Sequence, residues 1–240
     1  MPTSVFPTTE RTMGNSVLTH PDNRAVPQLR SPRIWGTFSA AGAVGTTTLS
    51  LHLAQVALAK GLRTLLVEVD MRAPLREILD APAPNWEEYR LDTVFTSETL
   101  PRPGKSGISL LTKRSATEIS AELFNHVIQG AQEHFDLIIL DNPPLSSLII
   151  NSLVVAENSL TSLIGLHRLA PLQKPKIVLV NKFSPRIKKR GEIESFIADA
   201  KLFTIPRSTE LGLAMGLGII RRLTKNSEKI FGEILSEMLH

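Results

Sequence analysis

The segment Ser39-Ala40-Ala41-Gly42-Ala43-Val44-Gly45-Thr46-Thr47-Thr48 is where residue types and spacing in this chain point most directly to chemistry. It joins the strand-like run Ile34–Ser39 to a helical pattern carried by Leu49, Leu53, Val56 and Ala57. Small residues at such a junction let backbone N–H groups and a helix N-terminus approach a phosphate. Loops built for that purpose read GxxxxGK[ST], in which the lysine meets the β- and γ-phosphates and the hydroxyl holds magnesium. Here Ala40 takes the place of the first glycine and Thr46 that of the lysine, while Gly42, Gly45 and Thr47 keep the spacing. The loop retains its tight turn and its hydroxyl but lacks the cation that offsets phosphate charge. Gly42, Ala43, Val44, Gly45, Thr46, Thr47 and Thr48 are therefore the candidate phosphate-binding residues. A ligand-free strand-to-helix turn uses the same small residues, and this motif alone leaves both readings open.

Three further segments add chemistry-bearing residues. The run Leu65-Leu66-Val67-Glu68-Val69-Asp70-Met71-Arg72 ends in acidic residues. Phe135-Asp136-Leu137-Ile138-Ile139-Leu140-Asp141-Asn142-Pro143-Pro144 is an apolar strand delivering Asp141 at its end, where a turn-capping role is the alternative to metal binding. Lys176-Ile177-Val178-Leu179-Val180-Asn181-Lys182 and Phe203-Thr204-Ile205-Pro206-Arg207 are two more strand-like runs, the first ending near a polar residue and the second in a proline. Asn181 equally serves to end a strand, and Pro206 to stiffen a turn.

Together, over roughly Arg33 to Leu239, these segments resemble the MinD/ParA ATPases, whose deviant Walker A loop is written KGGxGKT. The resemblance implies a three-layer α/β fold of the P-loop NTPase type with a mostly parallel, doubly wound central sheet. It implies that Thr47, Asp70 and Asp141 hold magnesium, that Asp70 is the catalytic residue if the protein is active, and that Asn181 and Pro206 border an adenine. The family's signature lysine aligns with Ala41, so both lysines of the motif are missing, and Glu68 replaces the first aspartate of the family's DxD segment. The Ile205-Pro206 segment, followed by Ala214 and Gly216, resembles the same segment of the CpaE/TadZ and MinD branches, and the chain as a whole is most similar to the CpaE/TadZ branch. That likeness implies a positioning or regulatory scaffold with weak or absent ATP hydrolysis. It also implies ATP or ADP with magnesium bound weakly or not at all, protein partners from a pilus, secretion or positioning assembly, and a homodimer as one assembly state. An active ParA/MinD-type ATPase is the alternative. Exopolysaccharide-type tyrosine kinases share the Met71-Arg72 and Pro143-Pro144 features, but they carry a C-terminal tyrosine cluster and this chain has only Tyr89.

The elements that must position these residues follow from the hydrophobic rhythm. Short apolar runs at Ile34–Ser39, Arg63–Val69, Ile108–Leu111, Asp136–Leu140, Ser159–Leu166, Ile177–Asn181 and Leu202–Ile205 alternate with helical patterns, as in a parallel sheet covered on both faces. Leu123, Val127 and Ile128 form one helical stripe; Ile230, Phe231, Ile234, Leu235, Met238 and Leu239 form another. Acidic Glu228, Glu233 and Glu237 accompany the last stripe, which favours packing onto the sheet over insertion into a membrane. Residues 81–106 hold Pro82, Pro84, Pro101 and Pro103 with little period and are expected to be irregular, with a short helix around Asp92–Phe95. Residues 1–32 are polar and aperiodic and are expected to form a tail ahead of one domain over 33–240.

Composition narrows the classes. A chain of 240 residues with 42% hydrophobic and 21% charged residues suits one sizeable core. The absence of cysteine excludes disulfides and thiolate metal sites, and the six histidines are scattered away from any nucleophile motif. No stretch is apolar enough to span a bilayer, so a cytoplasmic protein is expected, with attachment to the inner face of the membrane left open. With a net charge of +4, the basic groups Arg186–Arg190 and Arg221, Arg222 and Lys225 either meet nucleic acid, an anionic membrane surface or an acidic protein, or form solvated loops.

Overall fold

Successive residues of a strand point to opposite faces, and here both positions are apolar. Ile34 and Trp35, Leu65 and Leu66, Ile138 and Ile139, and Val154 and Val155 are all buried. Strands of this kind need cover above and below. The computed structural model provides it, describing residues 33–69, 74–79, 84–115, 118–144, 151–197, 199–208, 211 and 223–240. Its strands are β1 (Arg33–Ser39), β2 (Thr64–Glu68), β3 (Ser109–Leu111), β4 (Leu137–Asp141), β5 (Asn151–Glu157), β6 (Ile177–Phe183) and β7 (Lys201–Pro206). They form one sheet in the order β3-β2-β4-β1-β5-β6-β7, and every pairing between them is parallel. The helices among the described residues are α1 (Thr46–Ala59), α2 (Pro74–Leu79), α3 (Ala121–Ala131), α4 (Leu160–Gln173), α5 (Arg190–Glu194) and α6 (Lys225–Leu239).

One face of the sheet presents Trp35, Leu66, Ile139, Leu153 and Leu179 to α1 and α6, which contribute Leu49, Leu53, Phe231, Ile234, Leu235 and Met238. On the other face, Phe124, Val127 and Ile128 of α3 cover Ile34, Leu65, Val67, Ile138 and Leu140. Leu163 and Leu166 of α4, with Ile193 of α5, cover Phe38, Val154 and Val178. Each fully buried Leu, Ile or Phe contributes about 1.5–3 kcal/mol. This is the three-layer, doubly wound architecture expected from the sequence, with a sheet that is wholly parallel. The last apolar stripe packs inward as α6, where the indole of Trp35 donates to the Met238 carbonyl at 3.1 Å.

Two element assignments are corrected. The expected strand Ser159–Leu166 is instead the start of α4, and the fifth strand lies earlier at Asn151–Glu157. The β-branched pair Val154-Val155 carries the strand, whereas Ser159 caps a helix by accepting from the Ser162 amide, and Leu163 and Leu166 recur at helical spacing. The short helix around Asp92–Phe95 is absent: those residues are a turn followed by irregular chain, and a single 3-10 turn occurs at Trp86–Glu88 instead. The irregular segment is nevertheless anchored. Trp86 donates to the Glu68 carbonyl at 3.2 Å and stacks on Phe124, while the ring of Phe95 occupies the space a side chain at Gly130 would fill. Residues 1–32, Asp70, Met71, Arg72, Ala214, Gly216, Arg221 and Arg222 lie outside the described residues.

Candidate functional site

A wholly parallel sheet gathers all its strand carboxyl ends on one edge, and the crevice lies where the chain turns to opposite sides of a central strand. That strand is β1, flanked by β4 and β5. The loop leaving it turns through two left-handed residues, Ala43 (φ 57°) and Gly45 (φ 92°). Gly45 is required twice over, because a Cβ there would also come within 2.8 Å of the Asn181 amide nitrogen. It is the N-cap of α1 and supplies no side-chain acceptor, and the first turn of α1 holds no acidic residue. The leading N–H groups of α1 thus lack a side-chain cap among the described residues and, with the helix dipole, suit an anion. Gly42 and Ala43 are exposed at the apex, and Val44 is buried beneath them.

Under the loop, hydroxyl groups form a connected network. Thr47 Oγ1 donates to Asp141 Oδ2 at 2.6 Å, and Ser50 Oγ donates to Asp141 Oδ1 at 2.9 Å. Thr37 Oγ1 lies 2.8 Å from Ser50 Oγ. Thr46, in the lysine position, is 3% exposed and its Oγ1 is 2.6 Å from Ser39 Oγ. Since Ser39 Oγ donates to Asn142 Oδ1 at 2.8 Å, Thr46 is the donor in that pair. Asn142, at φ 46°, also accepts from the Ser39 amide at 3.1 Å. Gly165 of α4 is packed so closely on the Ala40 carbonyl that no Cβ fits between them.

The structure therefore brings together Gly45, Thr46, Thr47, Thr48, Asp141 and Asn181. Asn181 reaches the loop directly, its amide donating to the Val44 carbonyl at 2.9 Å. With Gly45, Thr48, Lys182, Arg207 and Leu211 it lines a cavity of about 290 Å3. Pro206 is exposed at the end of β7, and the residues that follow it, Arg207 and Ser208, line the cavity. Lys182 is paired with Glu157 at 3.3 Å. Glu68, aligned across the sheet with Asp141, is fully buried; its carboxylate accepts from the Leu75 amide at 3.0 Å and from Thr112 Oγ1 at 2.8 Å. It clasps β2, α2 and the end of β3 together.

Sequence reasoning missed Thr37, Ser50, Asn142, Lys182 and Arg207. Ser50 was within reach, since it lies three residues after Thr47 and so on the same side of α1; Asn142 offered no signal, because its role depends on a left-handed backbone.

Thr47 and Asp141 offer the hydroxyl and carboxylate oxygens that suit a hard divalent cation, and the loop offers amides for a polyphosphate. The donor types fit magnesium and a nucleotide; side-chain positive charge at positions 41 and 46 does not accompany them. Among the described residues no cluster of three or more histidine and acidic side chains could hold a metal unaided.

A parallel, doubly wound sheet with a glycine-bearing loop at its switch point defines an α/β nucleotide-binding domain of the P-loop class. The chain belongs to the family of CobQ/CobB/MinD/ParA nucleotide binding domains, whose model matches residues 36–219. No curated protein sequence matches it. Among solved structures it is similar to the MinD cell division protein of Aquifex aeolicus, at 19% identity and a TM-score of 0.65 over 86% of this chain and 95% of that one. It is likewise similar to a ParA family ATPase from Chlorobium tepidum, at 17% identity and 0.65 over 88% and 98%, and to the ATP complex of a Cyanothece McdA variant, at 18% identity and 0.65 over 87% and 96%.

Proposed function

We propose that this chain is a positioning or regulatory scaffold of the CpaE/TadZ type: a MinD/ParA-like domain over 33–240, preceded by a tail, with a degenerate phosphate loop and little or no ATP hydrolysis. The observation that carries the reading is Thr46, which stands where a lysine would meet the β- and γ-phosphates and whose hydroxyl is turned inward onto Ser39. Phosphoryl transfer depends on cations that stabilise charge on the moving group, and one such contact is worth about 10³–10⁵ in rate. With Ala41 and Thr46 both uncharged, the loop amides, the α1 dipole and magnesium at Thr47 and Asp141, with Asp70, would hold ATP or ADP weakly. Asn181 and the backbone around Pro206 would border the base. Its partners would be proteins of a pilus, secretion or positioning assembly, and a homodimer fits this reading.

A second reading, an active ATPase of the partition or division-site class, is favoured by the intact Thr47–Asp141 pair and by Arg207 and Lys182 on the adjoining cavity. Steady-state hydrolysis with magnesium, beside fluorescent ATP and ADP titrations, separates the two. The scaffold reading expects no turnover above background and weak binding by the unmodified chain, with at least tenfold tighter ATP binding by Thr46→Lys. Robust turnover by the unmodified chain would overturn it in favour of the second reading.

A further inference from the structure

At the opposite edge of the sheet, where β2, β3 and β4 begin, lies a cavity of about 440 Å3 that plays no part in the phosphate site. Its size falls within the range of small-molecule sites, about 300–1,000 Å3. Leu58, Leu62, Leu100 and Phe135 make its lining mainly apolar. Gly107, at φ 79°, keeps it open from one side: its missing Cβ leaves the Leu58 side chain in place, at a distance of 2.8 Å from where that carbon would sit.

Its charged lining groups, Arg63 and Arg102, are both cationic; His134 adds an imidazole, and among the described residues no carboxylate lines the cavity. Arg63 spends part of its guanidinium on Asp136, with Nε donating at 3.2 Å and Nη2 at 2.7 Å. Arg102 is exposed and, among the described residues, has no ion-pair partner. An apolar chamber with unmatched positive charge at its rim favours a ligand that is apolar in body and anionic at one end. A hydrocarbon body would displace water from the apolar lining, and a carboxylate at the rim would add a charge-assisted pair with Arg102 that a neutral ligand lacks.

We propose that this cavity binds a small amphipathic carboxylate, with its hydrocarbon or aryl body among Leu58, Leu62, Leu100 and Phe135 and its carboxylate on Arg102 and His134. The site is independent of nucleotide. The test uses the full chain with octanoate as probe, octanol and acetate as controls, calorimetry for affinity and amide chemical shifts for location. Two exposed positions supply variants that leave the core untouched: Arg102→Glu reverses the rim charge, and Ser97→Trp closes the mouth with an indole. Saturable octanoate binding, at least tenfold weaker in Arg102→Glu and lost in Ser97→Trp, with octanol at least tenfold weaker and acetate silent, is the expected result. No saturable binding by the unmodified chain, equal binding by both variants, or octanol binding as tightly as octanoate would each overturn the proposal.

Discussion

The ion pair between Arg63 and Asp136 shows how a single buried carboxylate records its surroundings. Burial alone would raise the pKa of Asp136, but the Arg63 side chain and amide both donate to it and, with the guanidinium charge, hold it below its ordinary value of 3.8. A carboxylate depressed in the folded state contributes stability above its unfolded pKa and loses it as pH falls through the folded one. Asp136→Asn is therefore expected to cost about 1.5–3 kcal/mol at neutral pH. In urea titrations its deficit relative to the unmodified chain should shrink toward zero in strong acid; an unchanged deficit at low pH would assign the loss to packing. The same scale explains what the sequence disclosed of the site. Thr47 and Asp141 were legible because an order of residue types reports them. Thr37 and Asn142 were not, because their roles arise from strand register and from one left-handed backbone angle.

Between elements, a close backbone approach joins α4 to the phosphate loop. Gly165 lies against the Ala40 carbonyl with no space for a methyl group, so α4 fixes the height of the loop above the sheet. Gly165→Ala must push the helix or the loop aside, at a cost of the order of 1–3 kcal/mol. The expected signature is a fall in melting temperature together with shifted amide resonances from Ala40 to Gly45. A fall without those shifts would mean that α4 alone yields. The positions of the strands along the chain were largely readable, since six of the seven expected strands lie where the apolar runs put them, whereas their order in the sheet was not. The exception, at Ser159–Leu166, shares its apolar content with a helix; the length of α4, which runs on to Gln173, and the cap by Ser159 decide it, and periodicity over a short apolar run does not.

At the scale of the whole molecule, the first helix and the last close one face of the sheet together, and His52 sits in their seam. Its ring lies 5.6 Å from that of Phe231, Nδ1 pairs with Gln55 at 2.7 Å, and Nε2 is buried without a partner among the described residues. Burial lowers its pKa from 6.5, against the opposing Gln55 bond. The unfolded chain takes up a proton below about pH 6.5 while the folded one stays neutral, so stability declines as the solution is acidified from there toward the depressed folded pKa. His52→Phe is expected to flatten that slope just below about pH 6.5 in urea titrations, and an unaltered slope would place its origin elsewhere. The arrangement of the strands has a consequence for synthesis as well. β1 is made first but finds its partners in β4 and β5, with Arg33 opposite Leu137 and Trp35 opposite Asn151. About a hundred further residues must therefore leave the ribosome before either flank of that strand is covered, and during this interval the nascent chain carries two bare pairing edges beside the phosphate loop. Production of this protein should accordingly depend on holding chaperones during translation more than its finished, edge-to-edge covered centre suggests.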